Sequence, residues 1–178
     1  MKSYLFLILI SLFFIACQKE PQTKAININE FKDAHIALLE HNRLRRIHFS
    51  NTPLQYSKKV EYDAQQYANY LAKTGQFEHD PKNLSHKYGE NLYAFSLNKT
   101  PNLARIIQKW YDEKQYYTYG TQACVRGKMC GHYTQIIWKE SKLLGCASAQ
   151  YKKGRFKGGY VTVCKYYPYG NIVGQNPY

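Results

Sequence analysis

Acidic side chains are scarce: 12 Asp and Glu stand against 25 Lys and Arg in 178 residues, a formal net charge of +13. A basic balance of this kind either attracts anionic headgroups, polysaccharides or nucleic acid, or simply solvates the surface. No RNA- or DNA-binding motif is present, and the N-terminus carries an export pattern, so nucleic acid is not expected as a partner. No apolar run is long enough to cross a bilayer; the stretch Tyr4 to Ile15 has only 12 residues. Internal repeats and low-complexity tracts are absent, which excludes a repeat array. No H-E-x-x-H pattern and no G-x-S-x-G pattern occurs, which removes a helix-borne zinc-protease centre and a serine nucleophile elbow.

The N-terminal segment reads as an address. Lys2 is a short positive region, Tyr4 to Ile15 is the apolar core, and Phe14-Ile15-Ala16-Cys17 ends it. A small residue before a cysteine resembles the bacterial lipobox, although Phe14 stands where an aliphatic side chain is commoner. Ordinary signal cleavage after Ala16 is the rival reading, and the bulk of Phe14 breaks its A-x-A pattern. The expected organisation is a signal peptide over 1–16, a lipidated Cys17 and tether over 17–27, and one domain over 28–178. The expected location is the cell envelope, membrane-anchored, or secreted on the rival reading. Five cysteines is an odd number for an exported chain. Lipid on Cys17 leaves Cys124, Cys130, Cys146 and Cys164 for two disulfides. Cys124 and Cys130 would close a short loop. Cys146 and Cys164 are centred on Arg155 and would face each other across a hairpin tipped by Lys152-Lys153-Gly154-Arg155. This pairing is favoured, though sequence does not fix connectivity.

Further on, Asn29 caps a helix with Phe31, Ala34, Leu38 and Leu44 at helical spacing. Asn51-Thr52-Pro53 is a break. A second helix runs from about Ser57, with Val60, Ala64, Tyr67, Ala68 and Leu71 on one stripe, and Gly75 stops it. His79 to Lys87 reads as a polar loop and Glu90 to Phe95 as a strand. Thr100-Pro101 starts a third helix, threonine as cap and proline in its first turn. Tyr116 to Gly131 reads as irregular, and Tyr133 to Trp138 is too short for periodicity to decide. Leu144 to Tyr151 and Tyr160 to Tyr166 read as strands joined by a turn rich in glycine and lysine. Early helices and late antiparallel strands give an α+β class.

Five segments in order resemble one family: His41-Asn42-Arg43, Gly89-Glu90-Asn91-Leu92, Trp110-Tyr111-Asp112-Glu113, Gly131-His132-Tyr133-Thr134-Gln135, and the ending from Cys164 to Tyr178. Together they resemble the CAP superfamily of cysteine-rich secretory, antigen 5 and pathogenesis-related 1 proteins, over Phe31 to Tyr178. The resemblance implies a three-layer α-β-α sandwich with a central, mostly antiparallel sheet, and a short helix over Tyr133 to Trp138. It also implies a cleft lined by His79, Glu90, Glu113 and His132. The family's usual extra cysteines are missing: Gly75 and the Gln150-Tyr151 region stand in their places.

Two imidazoles and two carboxylates in one cleft can act in three ways. His79 and His132 could bind a divalent cation such as zinc, a carboxylate activating a bound water. The groups could act as a general acid and base, or tie the layers together as a hydrogen-bonded cluster. His86 and Asp112 lie near enough in sequence to replace His79 and Glu113 in these roles. The clustered tyrosines Tyr116, Tyr117, Tyr119, Tyr166, Tyr167 and Tyr169 are either packing or an amphipathic wall. The resemblance further implies a lipid or sterol-like ligand and host surface molecules as partners. Three functions therefore stand side by side: an envelope binding protein, a metal-dependent hydrolase, and a host-interaction protein with an inert cleft.

Overall fold

The computed structural model describes residues 28–48 and 52–178, with side chains from residue 33 onward. The signal segment, Cys17, the tether and Asn51 lie outside the described residues. Helix α1 (Ile28–Arg45) leads through β1 (Gln55–Tyr56) into α2 (Lys58–Thr74). Both ends of α2 are chemically marked. The Ser57 hydroxyl accepts the Val60 N–H at 3.4 Å, and Gly75 closes the helix at φ +77°, where a side chain would be strained. The stripe read from sequence is its buried face.

After α2 the chain forms the single turn α3 (Asn83–His86), strand β2 (Gly89–Phe95) and helix α4 (Leu103–Tyr111), which tightens into a 3-10 turn over Asp112–Tyr116. Two expectations shift here. The polar loop over 79–87 contains the turn α3. The cap of α4 is Asn102, whose side chain accepts the Arg105 N–H at 2.9 Å; Thr100 and Pro101 precede it. An asparagine two places nearer the apolar stripe reaches that amide, and the Thr-Pro signal concealed it. The segment expected as irregular holds a minimal hairpin, β3 (Tyr117–Thr118) with β4 (Ala123–Cys124), too short to leave a pattern. Helix α5 (Gly131–Ile136) precedes the long hairpin β5 (Leu143–Gln150) and β6 (Tyr160–Tyr167).

The four-stranded sheet has the order β1-β5-β6-β2; β1 is parallel to β5 and the other pairs are antiparallel. Helix α2 covers one face, where Ala64, Ala68 and Leu71 meet Ala147, Val161 and Val163. Helices α1, α4 and α5 cover the other with Leu44, Ile107, Trp110, Tyr133 and Ile136, against Leu144, Cys164 and Tyr166. This is the α-β-α sandwich. Both disulfides form as favoured, Cys124–Cys130 and Cys146–Cys164, the latter between directly opposed strand positions.

Two histidines of the second core are held neutral. His41 is fully buried; its Nδ1 donates to the Ala37 carbonyl at 2.7 Å, so its Nε2 accepts the Tyr166 hydroxyl at 2.7 Å. Burial lowers its pKa to about 4, with Arg45 adding to the effect. His48, ringed by Tyr111, Tyr133 and Tyr178, is likewise lowered to about 4 by burial and then by Lys114. The unfolded chain protonates these rings near pH 6.5, and the folded chain only near 4. Stability is therefore full above pH 6.5, declines between 6.5 and 4, and declines no further from this source below that. Urea denaturation at pH 7.5 and pH 5.0 should show a loss of about 2 kcal/mol from His41 alone. A stability unchanged over that interval would contradict neutral burial.

Candidate functional site

Strand β2 is an outer strand of the sheet, and a cleft of about 670 Å³ runs along it. Leu92, Ala94 and Trp110 give this cleft an apolar wall, with Phe77 and Met129 among the other residues that line it. Trp110 Nε1 donates to the Leu92 carbonyl at 3.3 Å, satisfying one group on the open strand edge. His79, Glu90, Glu113 and His132 all line the cleft, although they come from four segments. His86 and Asp112 do not replace them. His86 packs edge-on against Tyr88, and Asp112 accepts from Gln108 on the exposed side of α4.

The first pair is His79 with Glu90, Nδ1 to Oε1 at 2.7 Å. The Asp80 N–H donates to the same oxygen at 3.1 Å. Behind the carboxylate lies Lys165, whose Nζ sits 3.0 Å from Glu90 Oε2, an ion pair without hydrogen-bond alignment. That ammonium donates to Asp80 Oδ2 at 2.9 Å and Asn83 Oδ1 at 2.6 Å. It also faces the rings of Tyr67 and Tyr88 at 5.2 and 5.5 Å. Burial, followed by the charges of Glu90, Asp80 and Glu78, pushes the Tyr67 hydroxyl well above its ordinary range. Sequence reasoning missed Lys165; the available signal was a lone lysine inside the otherwise apolar strand Val161 to Tyr167.

The second pair is His132 with Glu113, Nδ1 to Oε1 at 2.6 Å. Here the carboxylate is fixed by backbone: Oε2 accepts the N–H groups of His132 at 3.0 Å and Tyr133 at 3.3 Å, in the first turn of α5. The His132 ring stacks on Trp110. Its carbonyl accepts from Asn91 Nδ2 at 3.0 Å. The same amide donates to the Tyr166 hydroxyl at 3.1 Å, which continues to His41. The site is thus joined to the core by a chain of four polar groups. The two pairs differ in cover: the His79 side chain is 63% exposed and that of His132 is 17% exposed.

A carboxylate only accepts, so each Nδ1 carries the proton and each Nε2 is left as the basic atom. Among the described residues neither Nε2 has a hydrogen-bond partner. A carboxylate behind Nδ1 is the arrangement that orients an imidazole for a metal. Two imidazole nitrogens lining one cleft are the donors on offer. This set is smaller than that of a closed structural site, and no group of three or more His, Cys, Asp or Glu is arranged to hold an ion among the described residues.

Residues 38–166 match the model of the cysteine-rich secretory protein family. Pathogenesis-related protein 1C of Nicotiana tabacum is 39% identical over 127 residues, which is 71% of this chain and 70% of that protein. Among solved structures, Na-ASP-1 aligns with a TM-score of 0.68 at 22% identity, covering 90% of this chain and 45% of that one. NaASP2 with Zn2+ aligns at 0.62 and 22% identity, covering 83% and 85%. At these identities the two structures bear on the fold alone.

The geometry makes Lys165 the support of the first pair. Lys165→Met should destabilise the protein by about 3–5 kcal/mol in chemical denaturation, because the buried Glu90 and the partly buried Asp80 would be left without their counter-charge. Combining it with Glu90→Gln should recover part of that loss. Additive losses would show that the two side chains are not coupled.

Proposed function

This chain belongs to the cysteine-rich secretory protein family, and we propose that it is an exported, lipid-anchored binding protein. In this reading the cleft holds a divalent cation such as zinc through His79 and His132, and a hydrophobic, lipid- or sterol-like ligand along Leu92, Ala94 and Trp110. Residues 1–16 are the signal segment, Cys17 carries the lipid, 17–27 form the tether and 28–178 the binding domain.

The observation that carries the proposal is the pair of imidazoles lining one cleft, each with Nδ1 committed to its own glutamate. Glu90 and Glu113 fix the tautomer and aim the rings. Trp110, buried in the core, stacks on the His132 ring and fixes its plane. A bound cation would contribute positive charge for an oxygen of the ligand. Hydrolysis is not part of the reading, because neither glutamate is placed as a free base. Glu113 already accepts from the His132 ring and two backbone N–H groups. Glu90 accepts from His79 and Asp80 and pairs with Lys165.

Calorimetric titration of zinc into the protein should give one ion per chain. His132→Ala and His79→Ala should each reduce the affinity by about tenfold or more while leaving the circular dichroism spectrum unchanged. No heat with the unmodified protein would reject the cation reading. Mass spectrometry of organic extracts after incubation with mixed lipids tests the second ligand; an empty cleft would reject it.

The anchor is tested separately. Stable anchoring needs more than one acyl chain, at about 0.8 kcal/mol per buried CH₂. Cys17→Ser should abolish fatty-acid labelling and move the protein from the membrane to the soluble fraction. A variant still bound to membranes would rule out Cys17 as the anchor.

A further inference from the structure

We infer that the tip of the β5–β6 hairpin is a docking surface for an anionic phospholipid bilayer, and that it sets the mouth of the cleft against that bilayer. The inference goes beyond the cation reading and does not depend on it.

The tip carries Lys152, Lys153, Arg155 and Lys157, all exposed, with Lys73 exposed near the end of α2. None of these five makes an ion pair among the described residues, whereas Lys59, Lys142 and Lys165 each pair with a carboxylate. The patch is not purely cationic. Phe156 at the tip packs edge-on against Phe77, ring centres 5.7 Å apart, and Phe77 is 39% exposed. The Arg155 guanidinium lies 4.4 Å from the Phe156 ring centre and 6.0 Å from that of Phe77. Unpaired cations around an exposed aromatic fit a surface with an anionic layer above an apolar one. A polyanionic polysaccharide would match the cations but has no hydrocarbon layer for Phe77 to enter.

The patch is also built rather than loose. Gly75 and Gly154 meet backbone to backbone: a Cβ on Gly154 would fall 2.6 Å from the Gly75 carbonyl oxygen. The Lys152 N–H donates to the Ala72 carbonyl and the Tyr151 hydroxyl to the Gln76 carbonyl, both at 2.9 Å. Helix α2 and the hairpin tip thus move as one piece, and binding need not order the tip. Phe77 lines the cleft two residues before His79, so a bilayer touching the tip also touches the cleft mouth. Glu78, between them on the rim, offsets one of the positive charges.

The test uses the full chain with vesicles of phosphatidylcholine alone and of phosphatidylcholine with 30% phosphatidylglycerol. The apolar contribution of the N-terminal segment is common to both, and its lysines Lys19 and Lys24 are read as separate sites from those of the tip. Lysine acetylation read by mass spectrometry should fall about threefold or more at Lys152, Lys153 and Lys157 on the anionic vesicles only. Lys139, at the opposite end of the hairpin, should be unchanged. The variant Lys152→Glu, Lys153→Glu, Arg155→Glu, Lys157→Glu should lose its preference for anionic over neutral vesicles by about tenfold. Equal protection on neutral vesicles would overturn the inference. Protection of these lysines by heparin but not by vesicles would overturn it too, and would assign the patch to an anionic polysaccharide. The footprint uses the unmodified chain, so it stands even if the fourfold variant misfolds.

Discussion

The register of β2 on β6 is the constraint from which the cleft follows. Glu90 lies directly opposite Lys165, and Asn91 directly opposite Cys164. Side chains alternate between the faces of a strand, so one register serves both layers. The even position puts a buried ammonium behind the Glu90 carboxylate, on the α2 side with Tyr67. The odd position puts the Asn91 amide between His132 and Tyr166, on the side of α1 and α5. A slip of one residue would exchange the two faces and dissolve both arrangements at once. The Cys146–Cys164 cystine joins β6 to β5 at its own directly opposed position.

Each layer is pinned by one buried cation. Lys165 serves the α2 side. Arg45 serves the other: its guanidinium donates to the carbonyls of Ile136 and Trp138 at 2.9 and 2.8 Å and to Thr52 at 2.8 Å. The last turn of α5 and the chain after it are therefore capped from inside, while Glu113 receives the first N–H groups of the same helix. A helix of six residues would be marginal alone. Held at both ends by opposite charges, it presents His132 in a fixed place. Burial lowers the Arg45 pKa to about 10, which leaves it charged at neutral pH, as both roles require.

Much of this was legible because it is written in local chemistry. The Ser57 cap and Gly75 stop bound α2 directly, and the symmetry of Cys146 and Cys164 about Arg155 returned the observed strand register. The four cleft residues came from the family resemblance, since no spacing in the chain brings together segments 11, 23 and 19 residues apart. What escaped was long-range or very short. Lys165 reads as a surface residue until the strand around it is known to be buried on both faces. The Asn91–Tyr166–His41 chain spans contacts 75 and 125 residues apart. The rungs of β3 and β4 are only two residues each. The true cap of α4 was hidden by a stronger-looking signal two places earlier.

The scarcity of acidic residues takes on a sharper meaning once the fold is known. Asp80, Glu90 and Glu113 point inward, each committed to hydrogen bonds or an ion pair. Acids are few, and these three do not face solvent freely. Among the described residues only one basic partner, Lys165, is buried with them, while Arg45 is buried on the other side. Among the described residues the remaining lysines and arginines are left largely without carboxylate neighbours, and four of them gather at the β5–β6 tip, with Lys73 of α2 nearby, beside exposed aromatic surface. The same economy of carboxylates thus marks two places: paired acids aim the histidines inside the cleft, and cations without acidic partners gather at the hairpin tip, next to the Phe77 that lines the cleft. An even scatter of the same charges would do neither, because net charge alone fixes no geometry.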